Sequence, residues 1–497
     1  MNHDDLCYTP VVELRRLLTT RSLSASELVR SLLERVDDIN GPINAIVALR
    51  AEGALKDAQA ADETPPADWG AVTGIPFTIK DLNETVDMPT TLGSRAFAGH
   101  QPSFDAEIVS RLRRAGGILV GKTNTPEFGL RATTENQLYG TSRNPWNLDH
   151  NPGGSSGGAA AALAAGISPL AQGSDGGGSI RNPASSCAVV GLKPTRGRVP
   201  GSPASYESWV GLATDGPMAC TVRDVALMLD VIGGPVVGEP YGLPIPSTSF
   251  LSNCDRKPDR CRIGYTVTPA HGQVHPEVAE AVLSAAGMFE ELGHEVVEAC
   301  PDLTGLREPF KTIIAGNSGA LTNQIDPARL GDLEPTTLSV MLRGHALTAA
   351  DYCLAVSTAR SRSAQIMHFW QDHDFLLAPV MTQLPPPIHA MPSQFDLETI
   401  WREISDLGAF TYPFNITGQP AISLPCAWSR EGGLPIGIQL VGGYGDEAGL
   451  LGLSASFEEA RPWRRMRPPF RIGGLALGAS PQSQAPEFGS VQRETPS

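Results

Sequence analysis

The sequence contains no long apolar run and comparatively little basic charge. No stretch of about 18 successive residues is both apolar and uncharged, so a membrane-spanning helix is not expected. The first ten residues, MNHDDLCYTP, have neither the basic nor the apolar part of a secretory signal. Lysine and arginine total 38 against 53 aspartate and glutamate residues, which gives a formal charge of −15. This acidic balance disfavours nucleic acid and anionic membranes as partners.

Paired cysteines and clustered metal ligands are also missing. The eight cysteines are scattered along the chain without a C-x-x-C pair. In a chain of this length, that pattern favours reduced thiols and a cytoplasmic location. His271 and His275 stand four residues apart, but Gly272 and Pro276 disfavour a helix there, and no third ligand is evident. We therefore predict no metal site.

Short apolar segments bounded by glycine alternate with a helical pattern in the first half of the chain. Residues 74–80 (GIPFTIK) and 117–121 (GILVG) are typical of buried strands. Residues 105–115, between them, carry aliphatic side chains at helical spacing. This order predicts an α/β fold in which helices cover both faces of a β-sheet. With 497 residues and 41 % hydrophobic side chains, the chain can bury a sizeable core, and a single large domain is expected.

Shifts in composition divide the chain into segments. The predicted domain, residues 1–470, consists of a core over 74–230, a helical and variable segment inserted over about 235–405, and returning strands over 410–445 that include Ile416. Residues 471–497 are rich in serine, proline, glutamine and glycine. That composition predicts a disordered C-terminal tail.

Two motifs match formally but lack their structural context. Residues 116–123 satisfy the phosphate-loop pattern G-x-x-x-x-G-K-[ST], yet the variable positions are typical of a strand, and Pro126 prevents a helix from following directly. Residues 154–158 (GSSGG) satisfy the G-x-S-x-G pattern of α/β-hydrolases, which would make Ser156 a nucleophile. The residues before Gly154 are typical of a loop rather than a strand. Both interpretations are therefore disfavoured.

Two loops rich in glycine and serine flank an alanine-rich stretch. Residues 153–158 (GGSSGG) and 174–181 (SDGGGSIR) are separated by a predicted helix over 159–165. Such loops are often flexible linkers, but linkers do not lie between apolar segments with fixed aspartate and arginine residues. Three successive glycines let backbone N–H groups converge on one point, as stabilisation of an oxyanion requires. Ser179, at the end of that run, is then placed to attack a carbonyl group.

A serine nucleophile needs a base, and Lys80 is the candidate. It ends the apolar strand predicted over residues 75–79, a position where lysine rarely occurs without a partner. Burial disfavours the charged form, so the neutral amine would be available as a base. The alternative is a structural ion pair with Asp81 or Asp175. The residues alone do not decide between these two roles.

The segment over 153–200, with GGSSGG, GSDGGGSIR and GLKPTRGRVP, resembles the amidase signature family. Flanking segments agree with it: GIPFTIKDL, LVGKTNTPEFG, SRNPWN, GPMACTVRDVA and PFNITGQPAISLP. The resemblance therefore extends over about residues 5–465. It implies a large mixed sheet flanked by α-helices and the hydrolysis of amides without a cofactor.

The resemblance also implies roles for individual residues. Ser179 matches the family's nucleophile, Ser155 matches the bridging serine that follows a cis peptide bond, and Lys80 matches the general base. The remaining matches are the backbone amides of the oxyanion hole, at Gly176, Gly177, Gly178 and Ser179, and a supporting polar pair, Asp175 and Arg181.

The substrate pocket is less well defined by the resemblance. Relatives commonly have threonine or isoleucine at the position of Gly176, so this glycine would loosen the oxyanion loop or widen the acyl side of the pocket. Aromatic candidates for the pocket are Phe128, Tyr139, Trp209 and Trp401, although each is as readily an ordinary core or surface residue. The segments TRGRVP and PFNITGQPAISLP resemble free-standing amidases that act on aryl amides, nylon-type oligomers and carbamates. Nothing in the sequence indicates an acidic or strongly cationic substrate.

Two other functions stay open. The glutaminase-type subunit of a tRNA-dependent amidotransferase shares this core, but it typically has KPTYGRVSR where this chain has KPTRGRVP. A catalytically silent binding protein is disfavoured by the intact set of serine and lysine residues. The expected partner is a small-molecule amide. Many relatives form homodimers, although the sequence does not locate an interface.

Overall fold

The computed structural model describes residues 3–203, 207–390, 396–472 and 475–477. The strands are β1 (Ile46–Leu49), β2 (Pro76–Lys80), β3 (Ile118–Thr123), β4 (Glu135–Asn136), β5 (Gly140–Thr141), β6 (Leu170–Asp175), β7 (Val190–Lys193), β8 (Thr214–Ala219), β9 (Arg262–Tyr265), β10 (Glu295–Glu298), β11 (Phe375–Pro379), β12 (Ala421–Trp428), β13 (Pro435–Val441), β14 (Phe470–Ile472) and β15 (Leu475–Leu477). The helices are α1 (His3–Cys7), α2 (Val11–Thr19), α3 (Ala25–Ile43), α4 (Ala51–Glu63), α5 (Glu107–Arg114), α6 (Gly157–Ala164), α7 (Arg181–Cys187), α8 (Val222–Ile232), α9 (Phe250–Asn253), α10 (Pro276–Glu291), α11 (Arg307–Leu321), α12 (Pro335–His345), α13 (Ala349–Met367), α14 (Leu397–Leu407), α15 (Tyr412–Thr417) and α16 (Glu447–Ala460).

Eleven of the strands form one sheet in the order β1-β3-β2-β6-β8-β7-β12-β13-β11-β9-β10. β2 lies between β3 and β6 and runs parallel to both. β8, β7, β12 and β13 follow with antiparallel pairing, and β9 runs parallel to β10 and β11. The predicted α/β fold, with a large mixed sheet in a single large domain, is thereby confirmed.

Both faces of the sheet carry an apolar core. Successive residues of a strand point to opposite faces. Leu377 of β11 belongs to the largest apolar cluster, together with Phe289 of α10 and Leu453 of α16. Its neighbour Leu376 belongs to a second cluster with Ile313 of α11. Helices from different parts of the chain therefore cover the two faces.

The carboxyl ends of β2 and β6 lie side by side. The two strands pair in parallel through Phe77 and Leu170, so Lys80 at the end of β2 lies close to the residues that end β6. α6, which begins just before the predicted alanine-rich stretch, is buried throughout. A Cβ atom on Gly158 would lie 2.4 Å from the backbone nitrogen of Asn124. Glycine at the start of α6 thus lets this helix approach β3 closely.

Two expectations about the second half of the chain were wrong in part. Residues 412–417, which include Ile416, form α15 rather than a strand. Pro413 fits the first turn of a helix, and Gly418 ends it at a φ of 84°. A short apolar run of this length does not distinguish helix from strand by its pattern alone. The segment over 235–405 is also not purely helical, because it contributes β9, β10 and β11 to the sheet.

Other expectations have clear outcomes. Residues 118–123 are a strand interior, β3, so the phosphate-loop interpretation has no loop to rest on. Residues 471–472 and 475–477 of the predicted tail belong to the paired strands β14 and β15. The rest of that tail, 473–474 and 478–497, lies outside the described residues. Within the described ranges, no helix is both long and apolar enough to cross a membrane.

The packing of α16 against the sheet predicts a large loss of stability when one buried side chain is shortened. Leu453 is fully buried, whereas Leu354 on α13 is 68 % exposed. We expect Leu453→Ala to lower the free energy of unfolding by about 2–5 kcal/mol because it leaves a cavity. Leu354→Ala, the same chemical change on the surface, should alter it by about 0.5 kcal/mol at most. Urea denaturation followed by circular dichroism measures both, and equal losses would contradict this assignment of the core.

Candidate active site

Lys80 is buried at the carboxyl end of β2 among serine hydroxyls. Its Nζ donates hydrogen bonds to the Oγ atoms of Ser155 at 2.7 Å, Ser156 at 2.9 Å and Ser174 at 3.0 Å. The contact with Ser174 was not foreseen from the sequence, although this serine opens the SDGGGSIR loop. A neutral amine keeps two N–H donors and one lone pair, so one of these hydroxyls then donates to the nitrogen.

The alternative role for Lys80, a structural ion pair, is not what the structure shows. Among the described residues, no carboxylate lies within ion-pair distance of its amine. Asp81 instead faces Lys122, with its Oδ1 4.0 Å from that Nζ. The Asp175 carboxylate pairs with Arg181 at 2.9 Å. Lys80 is therefore a buried amine without a direct counter-charge.

Burial also changes the acidity of this lysine. It lowers the pKa of Lys80 from its ordinary value of 10.5 to about 7, against the opposing charges of Asp215 and Asp175. Asp215 accepts hydrogen bonds from Asn83 Nδ2 at 2.9 Å and Gln172 Nε2 at 2.8 Å. Burial raises the pKa of Asp215 from 3.8 to about 6, in spite of these bonds. At neutral pH a large fraction of the Lys80 amine is thus uncharged and able to accept a proton.

Ser155 and Ser156 follow one another but have different surroundings. The peptide bond between Gly154 and Ser155 is cis, as the resemblance implies. Ser156 is fully buried. Its Oγ contacts Lys80 and also donates a hydrogen bond to the carbonyl oxygen of Ser174 at 3.2 Å. Because no strand leads into Ser156 and its hydroxyl is enclosed, it lacks the exposed position of an α/β-hydrolase nucleophile.

Ser179 ends the second loop and lines a cleft, where its side chain is partly exposed. In the part of the chain that the structure describes, its Oγ makes no hydrogen bond. The loop is joined to the first one through the Ser156 N–H, which donates to the Ser179 carbonyl oxygen at 3.1 Å. Catalytic hydrogen bonds are often absent before substrate binds, so the free Oγ is compatible with a nucleophile that bonds to Ser155 during reaction.

The backbone amides of the loop are not all equivalent. The Gly178 N–H donates to the Asp175 carboxylate at 2.7 Å, so it is not available to an oxyanion. The expectation that Gly178 takes part in the oxyanion hole is therefore not supported by this geometry. The amides of Gly176, Gly177 and Ser179 have no acceptor among the described residues. These three N–H groups are the candidates for binding an oxyanion.

A side chain is disfavoured at each of the three glycines of this loop. A Cβ atom on Gly176 would lie 2.4 Å from Cζ3 of Trp209, and one on Gly177 would lie 2.6 Å from Cζ of Phe310. Gly178 has a φ of 127°, which other residues rarely adopt. Gly176 does not loosen the loop or widen the pocket, because the Trp209 ring fills the space of the missing side chain. Gly176 and the Trp209 ring are therefore complementary in shape.

Asp175 and Arg181 form a buried, bidentate ion pair. Arg181 donates through Nε and Nη2 to the two carboxylate oxygens at 2.9 Å each, and neither side chain is exposed. Arg181 also donates to Gln439 Oε1 at 2.7 Å and to Asn415 Oδ1 at 2.7 Å. Burial alone would raise the pKa of Asp175, but Arg181 and Asn415 hold it well below its ordinary value. A permanent carboxylate can thus anchor the loop through the Gly178 and Ile180 amides.

The cleft beside Ser179 is open to solvent, and its empty space of about 500 Å³ includes part of that solvent. Its wall is mainly apolar and aromatic. The lining residues are Gly129, Leu130, Arg131, Ala132, Gly154, Gly177, Ser179, Asn182, Trp209, Phe310, Ile314, Trp401, Ile404 and Tyr412.

The predicted pocket aromatics divide into two groups. Trp209 and Trp401 line the cleft, whereas Phe128 and Tyr139 do not. Phe128 packs edge-on against Phe97, with ring centroids 5.8 Å apart, in a separate apolar cluster. The aromatic character of Phe128 and Tyr139 does not by itself fix the direction in which each side chain points. As for metals, no group of three or more histidine, cysteine or acidic side chains in the described ranges could hold an ion.

The complementarity of Gly176 and Trp209 predicts a coupled effect of substitution. Gly176→Ala should lower the free energy of unfolding by about 1–3 kcal/mol because the new methyl group collides with the indole. The same substitution in a Trp209→Ala background should cost much less. Gly287→Ala is a matched control, since nothing lies within 4 Å of that position. Urea denaturation of the four variants and the wild type measures the coupling, and an equal cost of Gly176→Ala in both backgrounds would contradict it.

Comparison with known proteins identifies the family. A family model described as Amidase matches residues 27–451. An acylamidase of Rhodococcus erythropolis is 34 % identical over 475 residues, which cover 94 % of this chain and 98 % of that protein. Among solved structures, 6-aminohexanoate cyclic dimer hydrolase in complex with its substrate has a TM-score of 0.88 at 34 % identity and covers 93 % of this chain and 99 % of its own. A glutamyl-tRNA(Gln) amidotransferase subunit from Thermotoga maritima has a TM-score of 0.74 at 28 % identity and covers 93 % of this chain and 95 % of its own. The chain belongs to the amidase family.

Proposed function

We propose that this protein hydrolyses a carboxamide through an acyl intermediate on Ser179. The supporting observation is the Lys80 amine, which is buried, 2.7 Å from Ser155 Oγ, and has a pKa lowered to about 7. An uncharged amine in contact with a serine can act as a general base at neutral pH.

The proposed acylation step uses the three side chains in series. Ser179 Oγ attacks the amide carbonyl carbon and passes its proton to Ser155, which passes its own proton to neutral Lys80. The amides of Gly176, Gly177 and Ser179 donate to the oxyanion that forms. Ser155 then protonates the leaving nitrogen and regains a proton from Lys80. The C–N bond breaks, and the acyl group remains on Ser179.

Deacylation repeats this relay with water. A water molecule attacks the ester carbonyl and gives a proton to Ser155, while the Ser155 proton moves to Lys80. When the tetrahedral intermediate collapses, Ser155 returns a proton to Ser179 Oγ and takes one from Lys80. The products are a carboxylic acid and an amine, and the three side chains recover their starting protonation states.

The apolar wall of the cleft supports an aryl or alkyl amide as the substrate. The relatives include an acylamidase and a hydrolase of the 6-aminohexanoate cyclic dimer, and we propose an amide of this general class.

The eight cysteines are all free thiols, which supports a reducing, cytoplasmic location. A homodimer stays a prediction. No observation favours the glutaminase-type subunit over the free-standing enzyme.

Covalent labelling tests the nucleophile and its base together. A fluorophosphonate should add to Ser179, as shown by intact mass and peptide mapping. Lys80→Ala should abolish this labelling and lower kcat on a simple amide by about 10²–10⁴-fold, because the base is lost. The exposed Lys257→Ala variant is the matched control and should behave like the wild type. An adduct on Ser156, or normal turnover by Lys80→Ala, would overturn the proposal.

The pKa of Lys80 predicts the pH dependence. Because the neutral amine is the active form, kcat/KM for an uncharged amide should rise as the pH increases through about 7. The Asp215 carboxylate raises the pKa of Lys80, so Asp215→Asn should move this rise to lower pH. A rate that is constant between about pH 5.5 and 8.5 would contradict Lys80 as the base. A shift of the rise to higher pH in Asp215→Asn would contradict the assigned electrostatics.

A further inference from the structure

One charged group stands in the otherwise apolar wall of the cleft. Arg131 lines the cleft together with Ser179 and is only 7 % exposed. Its Nη2 is buried without a hydrogen-bond partner. Within the described ranges, no carboxylate forms an ion pair with this guanidinium. Arginine is almost never buried without a partner, so this position needs an explanation.

The acidic residues in the neighbourhood are occupied elsewhere. Burial lowers the pKa of Arg131, and the charges of Glu135 and Glu334 act against this shift. The Glu135 carboxylate contacts His389 Nδ1 at 3.1 Å, and Glu334 accepts the Gln137 N–H at 2.8 Å. The carboxylates of Glu135 and Glu334 act on Arg131 only beyond hydrogen-bonding distance, where their negative charges oppose the lowering of its pKa. They do not supply the planar pair of oxygen atoms that a guanidinium fork binds.

Other polar atoms of the same wall are also unpaired. Asn182, which is 4 % exposed and also lines the cleft, has a buried Oδ1 without a partner. The buried Oη of Tyr412 is a further example. Buried polar groups are nearly always paired in folded proteins. Such atoms also occur away from the cleft, but at Arg131 the group is a full charge on a residue that lines the cleft beside Ser179, where a bound molecule can supply the partner.

We propose that Arg131 binds a carboxylate group of the substrate, so that the preferred amides of this enzyme carry a carboxylate as well as the scissile bond. This inference rests on the proposed amidohydrolase function and narrows its substrate class. It departs from the expectation that no acidic substrate is indicated. In the sequence, Arg131 stands in a loop segment, GLRATTEN, where nothing distinguishes it from a surface arginine.

The position of Arg131 limits the length of the substrate. Its loop packs directly on the first serine loop, since a Cβ atom on Gly129 would lie 3.2 Å from Ser155 Oγ. A Cβ atom on Gly154 would lie 2.7 Å from the carbonyl carbon of Ala132. Arg131 therefore belongs to a loop immediately beside the proposed relay. A carboxylate bound there would be separated from the scissile carbonyl by a short spacer.

Paired substrates test the proposal and locate the carboxylate. Glutaric acid mono-para-nitroanilide carries a carboxylate on the acyl side, and pentanoic para-nitroanilide is its neutral counterpart. N-butanoyl-para-aminobenzoate carries a carboxylate on the amine side, and butyranilide is its neutral counterpart. We expect the wild type to prefer the charged member of at least one pair. The pair that shows the preference identifies the side of the substrate that Arg131 contacts.

The variants assign this preference to the guanidinium. Arg131→Gln should lower kcat/KM for the preferred charged substrate by about 10- to 100-fold, chiefly through KM. The loss of kcat/KM for the neutral counterpart should be clearly smaller, because that substrate has no carboxylate for the guanidinium to bind. Arg131→Lys should recover part of the difference, since the charge remains but the fork is lost. Arg114→Gln, at a surface arginine 64 % exposed, is the matched control.

A binding measurement keeps this inference separate from the proposed function. Calorimetric titration with glutarate and para-aminobenzoate, the carboxylate-bearing products, should show weaker binding of one of them by Arg131→Gln even if no amide is turned over. The melting temperature should not fall in Arg131→Met, because an unpaired buried charge is removed. Equal losses on charged and neutral substrates, unchanged product binding in Arg131→Gln, or a large fall in melting temperature would each overturn the role of Arg131. Failure of every amide, with product binding intact, would overturn the proposed function alone.

Discussion

The burial of one amino group organises the centre of this molecule. Water is excluded around Lys80, and the surrounding polar atoms are serine hydroxyls and backbone rather than a direct counter-ion. A lysine in such a place loses the solvation that favours its charged form. Lys80 can lose contact with water because it ends β2, a strand whose five residues are all buried. The buried end of β2 therefore both belongs to the core of the fold and carries the proposed base, Lys80.

The second loop is held by electrostatics rather than by apolar packing alone. Asp175 is permanently charged because Arg181 lies against it, and that charge fixes the amides of Gly178 and Ile180. One of the loop amides is consumed by this anchor. The remaining N–H groups keep their direction before any substrate arrives, which is the condition for effective stabilisation of an oxyanion. The Gly178 N–H is thus unavailable to an oxyanion, but its bond to Asp175 holds the rest of the loop in place.

Much of this arrangement follows from sequence because local patterns carry it. The glycine-bounded strands and the alanine-rich helix were predictable from local patterns, whereas the grouping of Lys80 with Ser155 was implied by the family resemblance. The prediction of a strand around Ile416 was wrong because a run of six residues is too short for its pattern to distinguish helix from strand. The use of the Gly178 amide by Asp175 and the packing of Trp209 on Gly176 depend on atoms far apart in the chain or on loop geometry. The isolated charge of Arg131 is equally invisible without its surroundings.

Part of the cleft wall comes from a region of the chain that contributes no reacting group. Four residues of the cleft wall lie on two helices, Phe310 and Ile314 on α11 and Trp401 and Ile404 on α14. All four belong to the segment over 235–405, which holds none of the three residues assigned to the relay. Selection for a new substrate can therefore act on one stretch of sequence while the other stays constant. Substitutions on α11 and α14 would therefore reshape part of the ligand site while leaving the residues of the proposed relay unchanged.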